Sequence, residues 1–154
     1  MFRKRVALVG LVAAGLFMSG VAVASADAGT GFISVLIGRG QSHGFKIHQR
    51  RGNDVATAQN TVAPGGSSGW HSHPGTAMGI VQSGEITIFS ERVTGGKCTV
   101  HTYTAGQIFL EQPNREQNGV NHGTTPAVLA VTFFNVPHGE SSRIERNDPG
   151  NCPH

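Results

Sequence analysis

Short runs in which apolar and polar residues are interspersed recur along the chain after residue 27, and turn residues separate them. No segment beyond the first 26 residues sustains the apolar repeat of about 3.6 positions that an amphipathic helix needs. Pro-Gly, Gly-Gly and Ser-Gly pairs between the runs suit turns rather than helix caps. The pattern predicts strands at residues 32–37, 45–50, 55–63, 76–82, 85–91, 98–103, 107–111 and 127–136.

Closely spaced short strands of this kind are typical of a sandwich or a barrel. We therefore predict an all-β fold. About 130 residues follow the N-terminal segment, which is enough for one domain with a single core.

The first 26 residues have a different composition. Three basic residues at 3–5 precede an apolar run at 6–24, and Ala24-Ser25-Ala26 offers small side chains to a signal peptidase. The alternative is an uncleaved membrane anchor, since the run approaches the length that spans a bilayer. We expect a signal peptide at residues 1–26, a mature chain that begins near Asp27, secretion, and no stable membrane anchor after cleavage.

Cleavage changes the charge of the protein. The full chain has 12 Lys and Arg against 9 Asp and Glu, for a formal net charge of +3. Three of the basic residues lie in the leader and all of the acids lie outside it, so the mature chain is neutral apart from its histidines. Because no basic stripe remains to attract phosphates, we do not expect a nucleic-acid partner.

Cys98 and Cys152 are the two cysteines. In an exported chain such a pair is expected to form a disulfide, which would tie the C-terminal tail, residues 138–154, to the strand that carries Cys98. Two separate thiols, or pairing between two chains, are the alternatives.

The stretch PGGSSGWHSHPG, residues 64–75, holds two histidines one residue apart between glycine turns. In an extended strand, residues two apart share a face, so His71 and His73 should point together while Trp70 and Ser72 face the other way. Two neutral imidazoles so placed can reach one metal ion. A solvated pair on a loop and a catalytic base with a partner are the other interpretations.

The spacing Gly65, five residues, His71-x-His73, ten residues, Gly84 resembles the first motif of the cupin superfamily, and YTAGQIFLEQP, residues 103–113, resembles the start of its second. The sequence is similar to those of small secreted single-domain cupins of actinobacteria, and this resemblance covers about residues 30–137. The resemblance implies a jelly roll (a double-stranded β-helix barrel) with a divalent metal held by two His, a Glu and a later His.

Two positions depart from that pattern. The first-motif glutamate falls on Ala77, or on Met78 with a spacing one longer, and neither residue can bind a hard cation. The His of the second motif is replaced by Gln117, whose carboxamide oxygen is a weaker ligand, while the following Asn is present at 121.

The metal ligands predicted from this comparison are His71 and His73, with Glu111 and Gln117 as third and fourth candidates. His122 is held in reserve, because it would turn inward if the loop register slipped by one. Two His and Glu111 would resemble the facial triad that leaves positions open for dioxygen or substrate. The other histidines are expected at the surface or at strand edges: His43, His48, His101, His138 and His154.

Other catalytic constellations fit less well. GGSSG at residues 65–69 matches the Gly-x-Ser-x-Gly motif of a nucleophile elbow, with Ser67 at its centre. It precedes a predicted strand, however, instead of joining a strand to a helix. Glu85, Glu91 and Glu111 could form a glycosidase-type carboxylate pair, but Glu85 follows a turn and should begin an exposed strand edge. No catalytic residue is assigned.

The sequence therefore predicts an exported cupin-domain protein that binds a divalent transition metal (Mn, Fe, Ni, Cu or Zn) and a small molecule in its barrel. A metal-dependent oxygenase or isomerase, and a metal-free structural or ligand-binding barrel, are the alternatives. A homodimer is compatible with either. The substrate does not follow from the fold.

Overall fold

The computed structural model describes residues 35–42, 44–92 and 96–152. The predicted signal peptide, residues 1–26, lies outside this part of the chain, as do the start of the run predicted at 32–37, His43 and His154.

The described residues form nine strands in two antiparallel sheets and no helix. One sheet has the order β1-β8-β3-β6 and the other the order β5-β4-β7-β2-β9. With β9 set aside, this two-sheet arrangement is consistent with the predicted jelly roll. The strands are β1 Asp54–Val62, β2 His71–Ser72, β3 Ala77–Ser83, β4 Glu85–Arg92, β5 Gly96–Thr104, β6 Ile108–Glu111, β7 Gln117–Val120, β8 Ala127–Val136 and β9 Ile144–Glu145.

The main core lies between the two sheets. In β8, alternate side chains from Ala127 to Phe133 are buried, as expected of a strand with one face on the core. Ile86 and Ile88 of β4 meet them from the opposite sheet. The complete cluster is Ala77, Val81, Ile86, Ile88, Phe109, Ala127, Leu129, Val131, Phe133 and Val136.

A second, smaller cluster consists of Trp70, Phe89 and Cys152, with Cys98 and Val120 packed against it. The Cys98–Cys152 disulfide confirms the predicted pairing and holds the C-terminal tail at this cluster. The tail also adds β9 to β2, where Glu145 pairs with His71. The tail is thus part of the five-stranded sheet, which the sequence did not indicate.

The strands predicted at 45–50 and, within the described residues, at 35–37 are wrong. Val35, Leu36 and Ile37 are 77%, 67% and 62% exposed, and the segment 45–50 forms no strand. Strand propensity mostly reflects packing against neighbouring strands, and neither segment has a strand pair to pack against. β7, in contrast, was not predicted, because its Gln-Asn-Gly sequence lacks β-branched residues.

Within the described residues, no helix is long and apolar enough to cross a membrane.

Candidate metal centre

His71 and His73 belong to or directly follow the two-residue strand β2, and both are almost completely buried. Both imidazoles line the interior cavity, and their ring centroids are 4.9 Å apart. Trp70 packs on the other side, in the cluster that contains Cys152, and the Ser72 hydroxyl accepts a hydrogen bond from Arg146 in the tail. The expected division of this segment between the two faces is therefore present.

Each imidazole is oriented by a backbone carbonyl. Nδ1 of His71 donates to the carbonyl of Gly69 (2.8 Å), and Nδ1 of His73 donates to the carbonyl of Ser142 (2.6 Å). A carbonyl can only accept, so both Nδ1 atoms carry the proton and both Nε2 atoms keep a lone pair. Metal-binding histidines are commonly held by such a bond on the nitrogen that does not face the ion.

Gly69 makes its carbonyl available through an unusual backbone conformation. Its φ is 71°, in the left-handed region that favours glycine. The residue thus turns the chain into β2 while its carbonyl accepts from His71.

Glu111 brings a carboxylate to the same point from β6. It pairs with Ala77 of the neighbouring strand β3, and residues paired in this way project from the same face of a sheet. Of the two positions to which the cupin resemblance would assign the motif's glutamate, Ala77 and Met78, only Ala77 shares the face of Glu111. The Ala77 side chain beside Glu111 is small and fully buried.

One donor atom from each of His71, His73 and Glu111 lies within 4.8 Å of the others, and all three residues are buried. Nε2 of His73 is 3.0 Å from Oε2 of Glu111, yet Nε2 has no hydrogen bond of acceptable geometry. A buried carboxylate is costly unless it is paired. A cation or a proton between the lone pairs of His73 Nε2 and Glu111 Oε2 would remove this cost. The donor set fits a divalent transition metal.

Gln117 adjoins this group. It pairs with His71 across β2 and β7 and is completely buried, so its side chain shares the interior face with the imidazole. Neither its amide oxygen nor its amide nitrogen has a hydrogen-bond partner among the described residues. An unpaired buried amide costs about 1–3 kcal/mol for each group, which a ligand on the oxygen would offset in part.

The inward register slip considered for His122 does not occur. Asn121 is the buried residue, and its side-chain amide donates to the carbonyls of Val62 and Thr125. His122 is exposed and lies against Phe89 of the second, smaller cluster, with 6.1 Å between ring centroids. His48, His101 and His138 are exposed as expected.

Burial lowers the pKa of His71 below its usual value of about 6.5, because desolvation disfavours the charged ring. The bond to Gly69 and the nearby Glu111 carboxylate oppose this effect without cancelling it. The neutral imidazole that a metal requires is therefore the favoured form.

A cavity of about 680 Å³ opens from these donors between the two sheets. Arg143, from the tail, lines it; its guanidinium donates to both carboxylate oxygens of Glu145 (2.6 and 3.1 Å) and to the carbonyl of Ser68 (2.6 Å). Sequence reasoning missed Arg143 and Ser142. No local pattern marks a tail residue that reaches the site only through β9 and the disulfide.

Residues 59–134 match the family model described as the cupin domain. Together with the two-sheet fold, this match supports a cupin domain in this part of the chain. Comparison with curated protein sequences gave no match.

Solved structures share the fold. Oxalate decarboxylase of Bacillus subtilis, a protein with Mn(II) centres, is 22% identical with a TM-score of 0.54; the alignment covers 60% of this chain and 24% of that one. Oxalate oxidase, solved in complex with the substrate analogue glycolate, is 28% identical with a TM-score of 0.51, and the alignment covers 56% of this chain and 44% of that one. The chain thus spans less than half the length of these proteins.

Proposed function

We propose that this protein is an exported cupin-domain protein that binds a divalent transition metal through His71, His73 and Glu111, with Gln117 as a fourth ligand, and a small molecule in the adjoining cavity. The observation that carries the proposal is the unbonded 3.0 Å approach of His73 Nε2 to Glu111 Oε2 beside a second buried imidazole. Imidazole and carboxylate donors together suit Mn, Fe, Ni, Cu or Zn. Mn(II) is the metal of the related oxalate decarboxylase.

Metal titration of protein purified without a histidine tag tests this proposal. Isothermal titration and elemental analysis with each of the five metals should give one ion per chain for the wild type. His71→Ala and His73→Ala should abolish binding, because each removes one of two nitrogen donors. His122→Ala is the matched control: it removes an exposed imidazole that lies against Phe89, outside the donor group, and should leave the affinity unchanged.

A metal-free barrel is the competing interpretation. In that case Glu111 and His73 would share a proton as a buried ion pair, and the cavity alone would bind ligands. Equal metal binding by the wild type and His71→Ala, or none by the wild type, would establish that interpretation.

An oxygenase or isomerase is the second candidate function. Two imidazoles and one carboxylate leave coordination positions open, as in facial-triad sites. The metal would supply Lewis-acid or redox chemistry there, while the chain's own residues orient the donors and line the cavity. Dioxygen consumption by metal-loaded protein over a panel of carboxylic acids tests for an oxygenase, and isomeric products in the same reactions test for an isomerase, with the metal-free protein as the control.

Export is part of the proposal. The leader at residues 1–26 and the Cys98–Cys152 disulfide both favour an oxidising compartment outside the cytoplasm. Mass spectrometry of secreted protein should give an N-terminus near Asp27 and a mass two hydrogens below that of the reduced chain.

A further inference from the structure

The register of the strands divides the interior into layers. The first layer contains Glu111, Ala77 and Phe133, which pair in turn across β6, β3 and β8, opposite His71 and Gln117. Two residues further along the strands, the second layer contains Phe109, Gly79 and Val131. His73 groups with His71 and Glu111, so all the candidate metal donors lie in the first layer, which is called the donor layer, and the next layer is apolar.

Two positions of the second layer, Gly79 and Gly119, carry no side chain. The ring of Phe109 lies across Gly79, where an added Cβ would come within 2.0 Å of it. Gly119 of β7 also lines the cavity and presents no side chain. Beyond this layer, Leu129 and Ile86 continue the apolar wall. From Phe133 to Leu129 the wall extends about 13 Å along β8 at the usual strand rise.

The cavity opens along β1. Ala58 and Asn60 pair with Val131 and Leu129, so they face the interior, yet they are exposed while their partners are 3% and 5% exposed. The two sheets are therefore apart at this edge. A ligand can enter past Ala58 and reach the donor layer along an apolar wall.

The donor end favours negative charge in a ligand. Once a divalent cation is bound, the charges of the ion and Arg143 exceed those of the Glu111 and Glu145 carboxylates. The cavity volume of about 680 Å³ lies in the range of pockets that bind drug-sized molecules. A two-carbon acid would fill only a small part of it.

We propose, building on the metal site of the proposed function, that the ligand is an amphipathic carboxylate. Its carboxylate lies at the donor layer beside Arg143, and its hydrocarbon part lies along Phe109, Val131 and Leu129. This chemistry differs from that of oxalate, which has no apolar part to place on this wall.

Isothermal titration of Mn(II)-loaded full-length protein with octanoate, acetate, oxalate and octan-1-ol tests the inference. Each buried CH2 group favours binding by about fourfold, so octanoate should bind about a hundredfold or more tightly than acetate. It should also bind more tightly than oxalate and octan-1-ol. Octanoate binding no tighter than acetate or oxalate overturns the proposal, and octan-1-ol equal to octanoate overturns the anionic head group.

The variant Ala58→Trp tests whether the ligand binds in the cavity. The position is exposed on an edge strand, so an indole there can block the opening without disturbing the core, and octanoate affinity should fall by about tenfold or more. Thr57→Trp is the control, because Thr57 faces outward, with its hydroxyl 3.2 Å from that of Thr132, and should not alter binding. Equal affinities for the two variants overturn the proposal. The Mn(II) content of the same samples reports separately on the proposed metal site.

Discussion

Glu111 lies directly opposite Ala77, so the carboxylate reaches the histidine pair from β6 instead of from β3, where the cupin motif would carry it. Paired residues of antiparallel strands have Cβ atoms about 5 Å apart, a distance that a glutamate side chain can cross. The two strands thus offer equivalent starting points for the same carboxylate.

This equivalence predicts a rescue. Glu111→Ala should lower metal affinity by about a hundredfold or more, because a charged ligand is lost. Adding Ala77→Glu in that background should restore the affinity to within about tenfold of wild type, since the carboxylate returns from the adjacent strand. Isothermal titration with Mn(II) and Zn(II) measures both effects.

Met78→Glu in the same Glu111→Ala background is the control for the rescue. Met78 faces the outer side of β3, where it pairs with Leu110 and Thr132, so its carboxylate cannot reach the histidines. Rescue by Met78→Glu as well would mean that added negative charge, and not a ligand at this position, restores binding.

Gln117 supplies a second prediction. Gln117→His places a nitrogen donor on the same interior face as His71, so affinity for Ni, Cu or Zn should rise by about tenfold or more. Gln117→Leu removes the unpaired amide and should raise the stability of the metal-free protein by about 1–3 kcal/mol while weakening metal binding. Urea unfolding and titration of both variants give these values; unchanged metal affinity in both would exclude Gln117 as a ligand.

The sequence indicated the all-β class and most of the strands because alternation records which face of a strand is buried. It also indicated the His71–His73 pair, since strand geometry puts residues two apart on one face. The role of Glu111 opposite Ala77 depends on pairing between β3 and β6, and a single sequence does not state which strands pair.

The contacts that the tail makes with the metal site could not be predicted from local sequence patterns for a similar reason. The carbonyl of Ser142 is 69 residues from the imidazole that it orients, and a backbone group has no sequence signature. The false strand at 35–37 reflects the opposite error: Val-Leu-Ile has strand propensity, but no neighbouring strand buries it.

The tail yields the third prediction. The disulfide closes a separation of 54 residues, for which the chain-entropy estimate is about 4 kcal/mol of stability. Because the same tail provides the Ser142 carbonyl to His73, the double variant Cys98→Ser/Cys152→Ser should lose metal affinity as well as stability. Chemical denaturation and metal titration measure the two losses.

Ser142→Ala is the control for the tail, because it keeps the carbonyl that accepts from His73 and should retain wild-type metal affinity. If the double cysteine variant is destabilised but binds metal as tightly as the wild type at a temperature where it remains folded, the tail does not support the site.

The fourth prediction concerns the metal-free protein at low pH. Burial lowers the pKa of His71 in the folded state, so the unfolded chain, with an ordinary histidine pKa of about 6.5, takes up a proton first. This contribution to stability is present above pH about 6.5 and is lost as pH falls through the folded pKa. Urea unfolding between pH 7.5 and about 5 should show a smaller decline for His71→Gln than for wild type. His101→Gln, at an exposed position, should decline as the wild type does.

Metal affinity should depend on pH in the same direction, for a related reason. Both imidazoles bind only when neutral, so protons compete with the ion and the apparent affinity should fall on acidification. Because burial lowers the pKa of His71, competition at this residue begins below its ordinary pKa, and binding should persist to lower pH than two solvent-exposed histidines would allow. Titrations with Zn(II) at pH 7.5, 6.5 and 5.5 (a window around the ordinary pKa of about 6.5) measure the change. In Gln117→His a third imidazole must stay neutral, so the affinity should fall more steeply with acid than in the wild type. A Zn(II) affinity that stays constant across this range would mean that the ion is bound by carboxylates alone and that the two histidines are not its ligands.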